Sequence, residues 1–304
     1  MRFSCIFLTA FLLNGCSGAV VTPRPTPRPV LQHAYVDGPV LGFQLPLSAA
    51  SVAAFQIAAS NGVSDCVDSQ GRLFVPDSRR STNVFTQPIS ASSTPAFTLN
   101  SIVFADLNLD CAVDPVGNLY VTAAFSAGLF SGAVLSVFPV PVQAGSVDKF
   151  VNSVESCAKP DCFGTAYLTT DTAGDVFENP AGPNPCQIFE LSPLASGNKQ
   201  LAAFGDPTSC GGMKIGPDGN LYVSAGASIN VYFPPFHDGQ AKNRVIPMPF
   251  PGLGKMDFDA NHNLIGVVST NGGGFVLYLI PPPYTNVAFT VPVAERADSI
   301  AITQ

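Results

Sequence analysis

Tryptophan is absent from this chain, histidine occurs three times, and only 12% of the residues are charged. No Gly-x-Ser-x-Gly elbow, His-Glu-x-x-His helix or phosphate-binding glycine loop is present, so serine-hydrolase, zinc-protease and nucleotide chemistry have no support. No Cys-x-x-Cys occurs, which argues against a thiol redox enzyme. Lysine and arginine form no cluster, and the net charge is −7. Nucleic acid and an anionic membrane surface are therefore poor partners for the body of the chain. No long stretch repeats with helical periodicity. What remains is rich in Gly (27), Pro (28) and short Val/Phe/Tyr runs, with 46% hydrophobic residues. That content is ample for a core and rules out a disordered chain.

The first residues read as an export signal. Arg2 supplies a positive start, and Cys5 to Leu13 is an apolar run too short to span a bilayer. It ends Leu12-Leu-Asn-Gly-Cys16-Ser17, which resembles the lipobox of bacterial lipoproteins. The resemblance implies cleavage before Cys16 and lipidation of its sulfur and amino group, an anchor with more than one acyl chain. It also implies a lipoprotein at the cell envelope; the alternative is a plain secretory signal and a secreted or periplasmic protein. Ser17 favours an outer-membrane or surface address. Thr22-Pro-Arg-Pro-Thr-Pro-Arg-Pro29 then reads as a polyproline spacer. The expected division is 1–15 signal, 16–31 anchor and linker, and 32–304 a folded domain.

Within that domain one unit is rewritten repeatedly. Asp114-Pro-Val-Gly-Asn-Leu-Tyr-Val121 is matched by Asp68-Ser-Gln-Gly-Arg-Leu-Phe-Val75 and Gly216-Pro-Asp-Gly-Asn-Leu-Tyr-Val223, and more weakly by the units at Asp171 and Asp259. Each reads as a strand end, a tight turn and the next strand. The Asp is placed to cap turn N–H groups, and the glycine three residues on accepts positive φ. His262 takes that glycine's place in the last copy, as a turn residue rather than a catalyst. The turn positions 71, 117, 174, 219 and 262 are spaced by 46, 57, 45 and 43 residues. Such a period with four short strands per unit predicts propeller blades. The last unit lacks its second strand, and His33-Ala-Tyr-Val36 supplies it from the other end of the domain. The expectation is an all-β, six-bladed propeller of four-stranded antiparallel blades, closed by pairing the terminal strands in one blade.

These Asp-x-x-Gly-Asn-Leu-Tyr-Val units resemble those of NHL-repeat propellers and of the senescence-marker/gluconolactonase-like propellers. Those families include hydrolases, lyases and pure binding platforms. In the gluconolactonase-like members acids and asparagines at the channel mouth hold a divalent cation that polarises a lactone carbonyl. Here Asp65, Asp110, Glu155, Asp206, Asp257 and Asp298 lie just before or on the innermost strands, about one per blade. Converging carboxylates raise one another's pKa values or hold a hard cation such as calcium. The resemblance singles out Asp65, Asp110 and Asp257 as metal ligands, although the family's asparagine ligands and catalytic acid have no counterparts here. The plainer reading is that segments entering strands are rich in Asp anyway. The turns themselves are expected on the face opposite the ligand-binding channel mouth.

Six cysteines follow the leader: Cys66, Cys111, Cys157, Cys162, Cys186 and Cys210. An even count in an exported chain suggests disulfides, and the blade layout favours 66–111, 157–162 and 186–210 among 15 pairings. A metal site built on Cys157 and Cys162 lacks partner histidines. Two functions stay open. One is a monomeric binding or scaffold propeller that meets a protein, peptide or glycan through the proline-rich rim loops Phe233–His237, Pro247–Pro251 and Ile280–Tyr284, touching the membrane only through its anchor. The other is a divalent-metal-dependent, lactonase-like hydrolase. The same loops could also be strand breakers that pack on the domain.

Overall fold

A computed structural model describes residues 32–36, 38–57, 64–77, 80–101, 107–127, 130–157, 167–179, 187–205, 211–251, 254–270, 272–297 and 299–303, with backbone alone at 107–109, 124–127, 130–133 and 152–157. The leader, Cys16 and the linker lie outside the described residues. No helix among the described residues is long and apolar enough to cross a membrane.

The repeat becomes a ring of six antiparallel sheets, each of four strands. Blade 1 contains β1 (His33–Val36), β2 (Val40–Gln44) and β3 (Phe55–Ile57); blade 2 β4 (Cys66–Val67), β5 (Leu73–Pro76), β6 (Ser81–Phe85) and β7 (Phe97–Asn100). Blade 3 is β8 (Leu107–Val113), β9 (Leu119–Ala127), β10 (Phe130–Phe138) and β11 (Lys149–Cys157); blade 4 is β12 (Tyr167–Thr170), β13 (Val176–Asn179), β14 (Ile188–Leu191) and β15 (Gln200–Phe204). Blade 5 holds β16 (Met213–Ile215), β17 (Leu221–Ser224), β18 (Ser228–Tyr232) and β19 (Arg244–Pro247); blade 6 holds β20 (Met256–Phe258), β21 (Leu264–Ser269), β22 (Phe275–Ile280) and β23 (Phe289–Val293). The final strand, β24 (Ile300–Ile302), pairs with β1, in the register Ala34↔Ile302, Tyr35↔Ala301, Val36↔Ile300.

The repeated turn has one geometry throughout. The first turn residue donates its N–H to the carbonyl four residues on: Asp68 to Arg72, Asp114 to Asn118, Asp171 to Asp175, Gly216 to Asn220 and Asp259 to Asn263. Across the chain termini Thr303 donates to His33 in the same way at 3.0 Å, so the closing blade reproduces the bond although its halves lie at opposite ends of the domain. Each turn Asp carboxylate accepts the N–H groups inside its own turn, as Asp114 Oδ1 does from Val116, Gly117 and Asn118. Gly117 sits at φ 98° and His262 at φ 63°, the left-handed conformation the sequence requires of that position.

The core is divided among the seams between blades. Six hydrophobic clusters form, one for each neighbouring pair; Cys66, Phe74, Val84 and Leu99 meet Cys111, Leu119 and Val121 between blades 2 and 3. The proline-rich loops supply wedges here. Phe236 stacks on Phe204 at 5.3 Å, bridging blades 5 and 4, and Tyr284 packs edge-on against Tyr222 at 5.4 Å, bridging blades 6 and 5.

The Cys66–Cys111 disulfide forms as expected, joining the inner strands of blades 2 and 3 across 45 residues. In the chain-entropy view such a cross-link contributes about 2–4 kcal/mol. The pairs 157–162 and 186–210 fall outside the described side chains.

Candidate functional site

Alternation along a strand decides which inner-strand side chains meet at the axis. Counting back from the first turn residue, Ser64, Asp110, Lys255 and Ser299 each lie four positions before it, and Cys66, Thr169, Lys214 and Asp257 two before. Asp65 lies three before, on the other parity. The three acids singled out from the sequence therefore do not occupy equivalent places, and Asp65 turns toward the seam between blades 1 and 2.

Each seam carries an inner-strand link made by these side chains. Ser299 donates to Asp65 Oδ1 at 2.7 Å and accepts the Asp65 N–H at 3.2 Å, joining blades 1 and 2. The disulfide joins blades 2 and 3. Asp110 Oδ2 accepts the Leu168 N–H at 2.7 Å, joining blades 3 and 4, and Thr169 Oγ1 accepts the Ile215 N–H at 3.4 Å, joining 4 and 5. Lys214 Nζ lies 2.7 Å from Asp257 Oδ1, joining 5 and 6, while Asp257 Oδ2 accepts the Ile302 N–H at 3.0 Å, joining 6 and 1. The acids near the axis thus serve the architecture. A short carboxylate reaches the next blade's unpaired inner-edge N–H groups, which would otherwise be buried without a partner.

Lys255 crosses the axis. It comes from blade 6, is buried, and its Nζ lies 2.7 Å from Asp110 Oδ1 in the opposite blade, 3.0 Å from the Asp65 carbonyl and 3.0 Å from the Cys111 carbonyl. Ser64 Oγ stands 3.5 Å away and donates to Asp110. Sequence reasoning missed both lysines and both serines. Their signal was present: Lys214 interrupts an apolar inner strand and Lys255 immediately precedes one, each in register with the acid it meets.

Asp65 is fully buried, and its Oδ2 has no partner among the described residues. Its carboxyl is pushed up to about 7, first by burial, then by Asp110 and Asp257; the Ser299 hydrogen bond and Lys255 oppose the rise. Away from the axis, Glu190 is also raised to about 7, by burial first and then by Asp175 and Asp171.

A divalent cation fits this donor set poorly. Asp110 already accepts the Cys111 and Leu168 N–H groups, Ser64 and Lys255, and Asp257 accepts the Phe258 and Ile302 N–H groups and Lys214. Among the described residues no group of three or more His, Cys, Asp or Glu is arranged to hold a metal ion. The Glu155 side chain, Asp206 and Asp298 lie outside the described residues.

Beyond this axial layer lies a cavity of about 560 Å³. Its floor is that layer, with Asp65, Lys214, Lys255 and Asp257 among the lining residues, and its walls are turn residues such as Ser69, Pro115, Thr172 and Ala260. The cavity is thus at the turn end of the channel, where the sequence reading placed no ligand. The loops that enter the inner strands at the other end are mostly outside the described residues.

Solved propellers share this architecture. A protein assigned as a gluconolactonase superposes with a TM-score of 0.58 at 14% identity, covering 86% of this chain and 90% of its own. A gluconolactonase from Xanthomonas campestris gives 0.53 at 14%, covering 79% and 78%. A protein assigned as a 6-phosphogluconolactonase, from Bacteroides fragilis, gives 0.56 at 11%, covering 90% and 84%. The fold is that of the gluconolactonase-like six-bladed propellers. No protein-family model matches the sequence, and no curated protein does. At these identities the likeness fixes the fold, and the chemistry rests on this chain's own residues.

Proposed function

We propose that this protein is an exported propeller, lipid-anchored through Cys16 at the cell envelope, that works as a binding or scaffold module through its turn face. One observation carries the reading. Among the described residues the exposed large apolar side chains are Val52, Val116, Val140, Val147, Phe150, Leu201, Phe233 and Val245. Val116 stands in a turn, and Val52, Val140, Val147 and Phe233 stand in loops between third and fourth strands, on the turn face; Phe150, Leu201 and Val245 are second residues of outer strands that start there. The axial cavity opens among the same turns, and its volume lies within the range of ligand pockets. Exposed apolar groups on the face that also carries a cavity suit contact with a protein, peptide or glycan. Of the proline-rich rim loops, Phe233 offers an exposed contact, whereas Phe236 and Tyr284 are engaged in seams.

The test is photo-crosslinking in cells with a benzophenone amino acid at Val147. A single defined adduct is expected, lost in a Val116→Glu/Val140→Glu variant that keeps the wild-type melting temperature. Cys16→Ala should move the protein from the membrane to the soluble fraction. An adduct unaffected by the two glutamates would sink the turn-face reading, and a Cys16→Ala protein that stays in the membrane fraction would sink the anchor.

The second reading, a metal-dependent lactonase-like hydrolase, is favoured by the structural neighbours and disfavoured by the engaged axial acids. Initial rates of gluconolactone and 6-phosphogluconolactone hydrolysis, with and without calcium or manganese, separate the two. The binding reading expects no acceleration over buffer, and a metal-dependent rate would replace it.

A further inference from the structure

The contacts of Lys255 describe a cation site filled from within. Its ammonium group has three N–H donors and three close oxygens: Asp110 Oδ1 at 2.7 Å and the Asp65 and Cys111 carbonyls at 3.0 Å. Ser64 Oγ completes an all-oxygen shell at 3.5 Å. The shell draws on blades 2 and 3, while the cation is delivered from blade 6. Ser299 Oγ, from blade 1, stands 3.2 Å from Ser64 Oγ, beside the shell. Two main-chain carbonyls and a carboxylate converging on one point make a hard-cation donor set, and carbonyls aimed inward without a cation would repel one another.

The distances select the occupant. Oxygen ligands stand about 2.3–2.6 Å from calcium and about 2.0–2.1 Å from magnesium. Charge-assisted N–H···O bonds run at about 2.7–2.9 Å. A shell at 2.7–3.0 Å is sized for an ammonium ion. We infer that Lys255 is the resident cation of the axial channel: a tethered ammonium that holds the oxygen cage of blades 2 and 3 and leaves no place for a divalent metal there. Lys214 acts alongside it on Asp257 at 2.7 Å, from the neighbouring blade. In this propeller, two lysines carry the positive charge that the acids nearest the axis require.

Chemical rescue tests the inference. Melting temperatures are compared in ammonium, methylammonium, choline and calcium chlorides at equal ionic strength, for the full chain and for Lys255→Ala and Lys255→Met. Wild type should melt at one temperature in all four salts. Lys255→Ala should melt about 5–10 °C lower in choline, and recover at least half of that loss in ammonium or methylammonium. Lys255→Met, which fills the vacated space with an apolar chain, should be destabilised without rescue. If Lys255→Ala fails to fold in choline, refolding yield in ammonium against choline replaces the melting temperature. Calcium raising the wild-type melting temperature would overturn the inference. So would a Lys255→Ala variant as stable as wild type, or one that melts at the same temperature in choline and in ammonium.

Discussion

Replacing Asp110 by alanine should cost about 3–5 kcal/mol, the largest loss expected from any single axial substitution. The carboxylate is a hub. Oδ1 takes the Cys111 N–H at 2.7 Å, Lys255 Nζ at 2.7 Å and the Ser64 hydroxyl, and Oδ2 takes the Leu168 N–H at 2.7 Å. Removing it leaves a buried ammonium without a counter-charge and two buried N–H groups without acceptors. Asparagine is the informative control, since its one amide oxygen can keep one N–H bond but neither the charge nor the second acceptor. Asp110→Asn should therefore recover only part of the loss. In chemical denaturation the expected order is wild type, Asp110→Asn, Asp110→Ala, with Lys255→Met/Asp110→Leu less destabilised than the sum of the singles, because both charges leave together. Additive losses would mean that Asp110 and Lys255 do not act as a pair.

Much of this architecture was legible in the chain itself. The Asp-x-x-Gly turn is a local device: a carboxylate caps N–H groups within five residues and the glycine takes positive φ, so the sequence window contains every participant. That is why His262, standing where the other copies have glycine, could be read as a left-handed turn residue. The closing blade was legible because His33 to Val36 completes a unit whose other half ends at Thr303. The axial site was only half legible. One acid near each inner strand was plain to see, but its purpose was not. Parity would have separated Asp65 from Asp110 and Asp257, and would have set Lys255 in the ring of Ser64, Asp110 and Ser299. What no local pattern contains is that a lysine from blade 6 reaches an aspartate 145 residues earlier in the opposite blade. The family resemblance pointed toward a metal, and the lysines on this chain's own strands alter that expectation.

Those lysines also leave a remainder, and it sets the pH dependence of the fold. Three buried carboxyl groups, Asp65, Asp110 and Asp257, stand near the ammonium groups of Lys255 and Lys214. Asp110 and Asp257 each accept two backbone N–H groups and a lysine, whereas Asp65 accepts one hydroxyl and its Oδ2 has no partner among the described residues. Charge balance and hydrogen bonding thus select Asp65 as the group that keeps its proton, in accord with a carboxyl pushed from 3.8 up to about 7. Between about pH 4 and pH 7 the folded state holds a proton that the unfolded chain releases, so stability falls as pH rises through that window. The slope is at most about 1.4 kcal/mol per pH unit. Above the window the group is ionised in both states and its contribution levels off. Glu190, also raised to about 7, acts in the same sense, so the quantity to measure is the difference between wild type and Asp65→Asn, in which Glu190 cancels. Asparagine keeps the acceptor for Ser299 and carries no charge. In urea denaturation from pH 5 to pH 8.5, Asp65→Asn should gain on wild type steadily up to about pH 7 and hold a constant advantage beyond it. A difference that stays flat, or that shrinks as pH rises, would mean that Asp65 is ionised in the folded protein throughout, and that the axial layer carries one more negative charge than its two lysines neutralise.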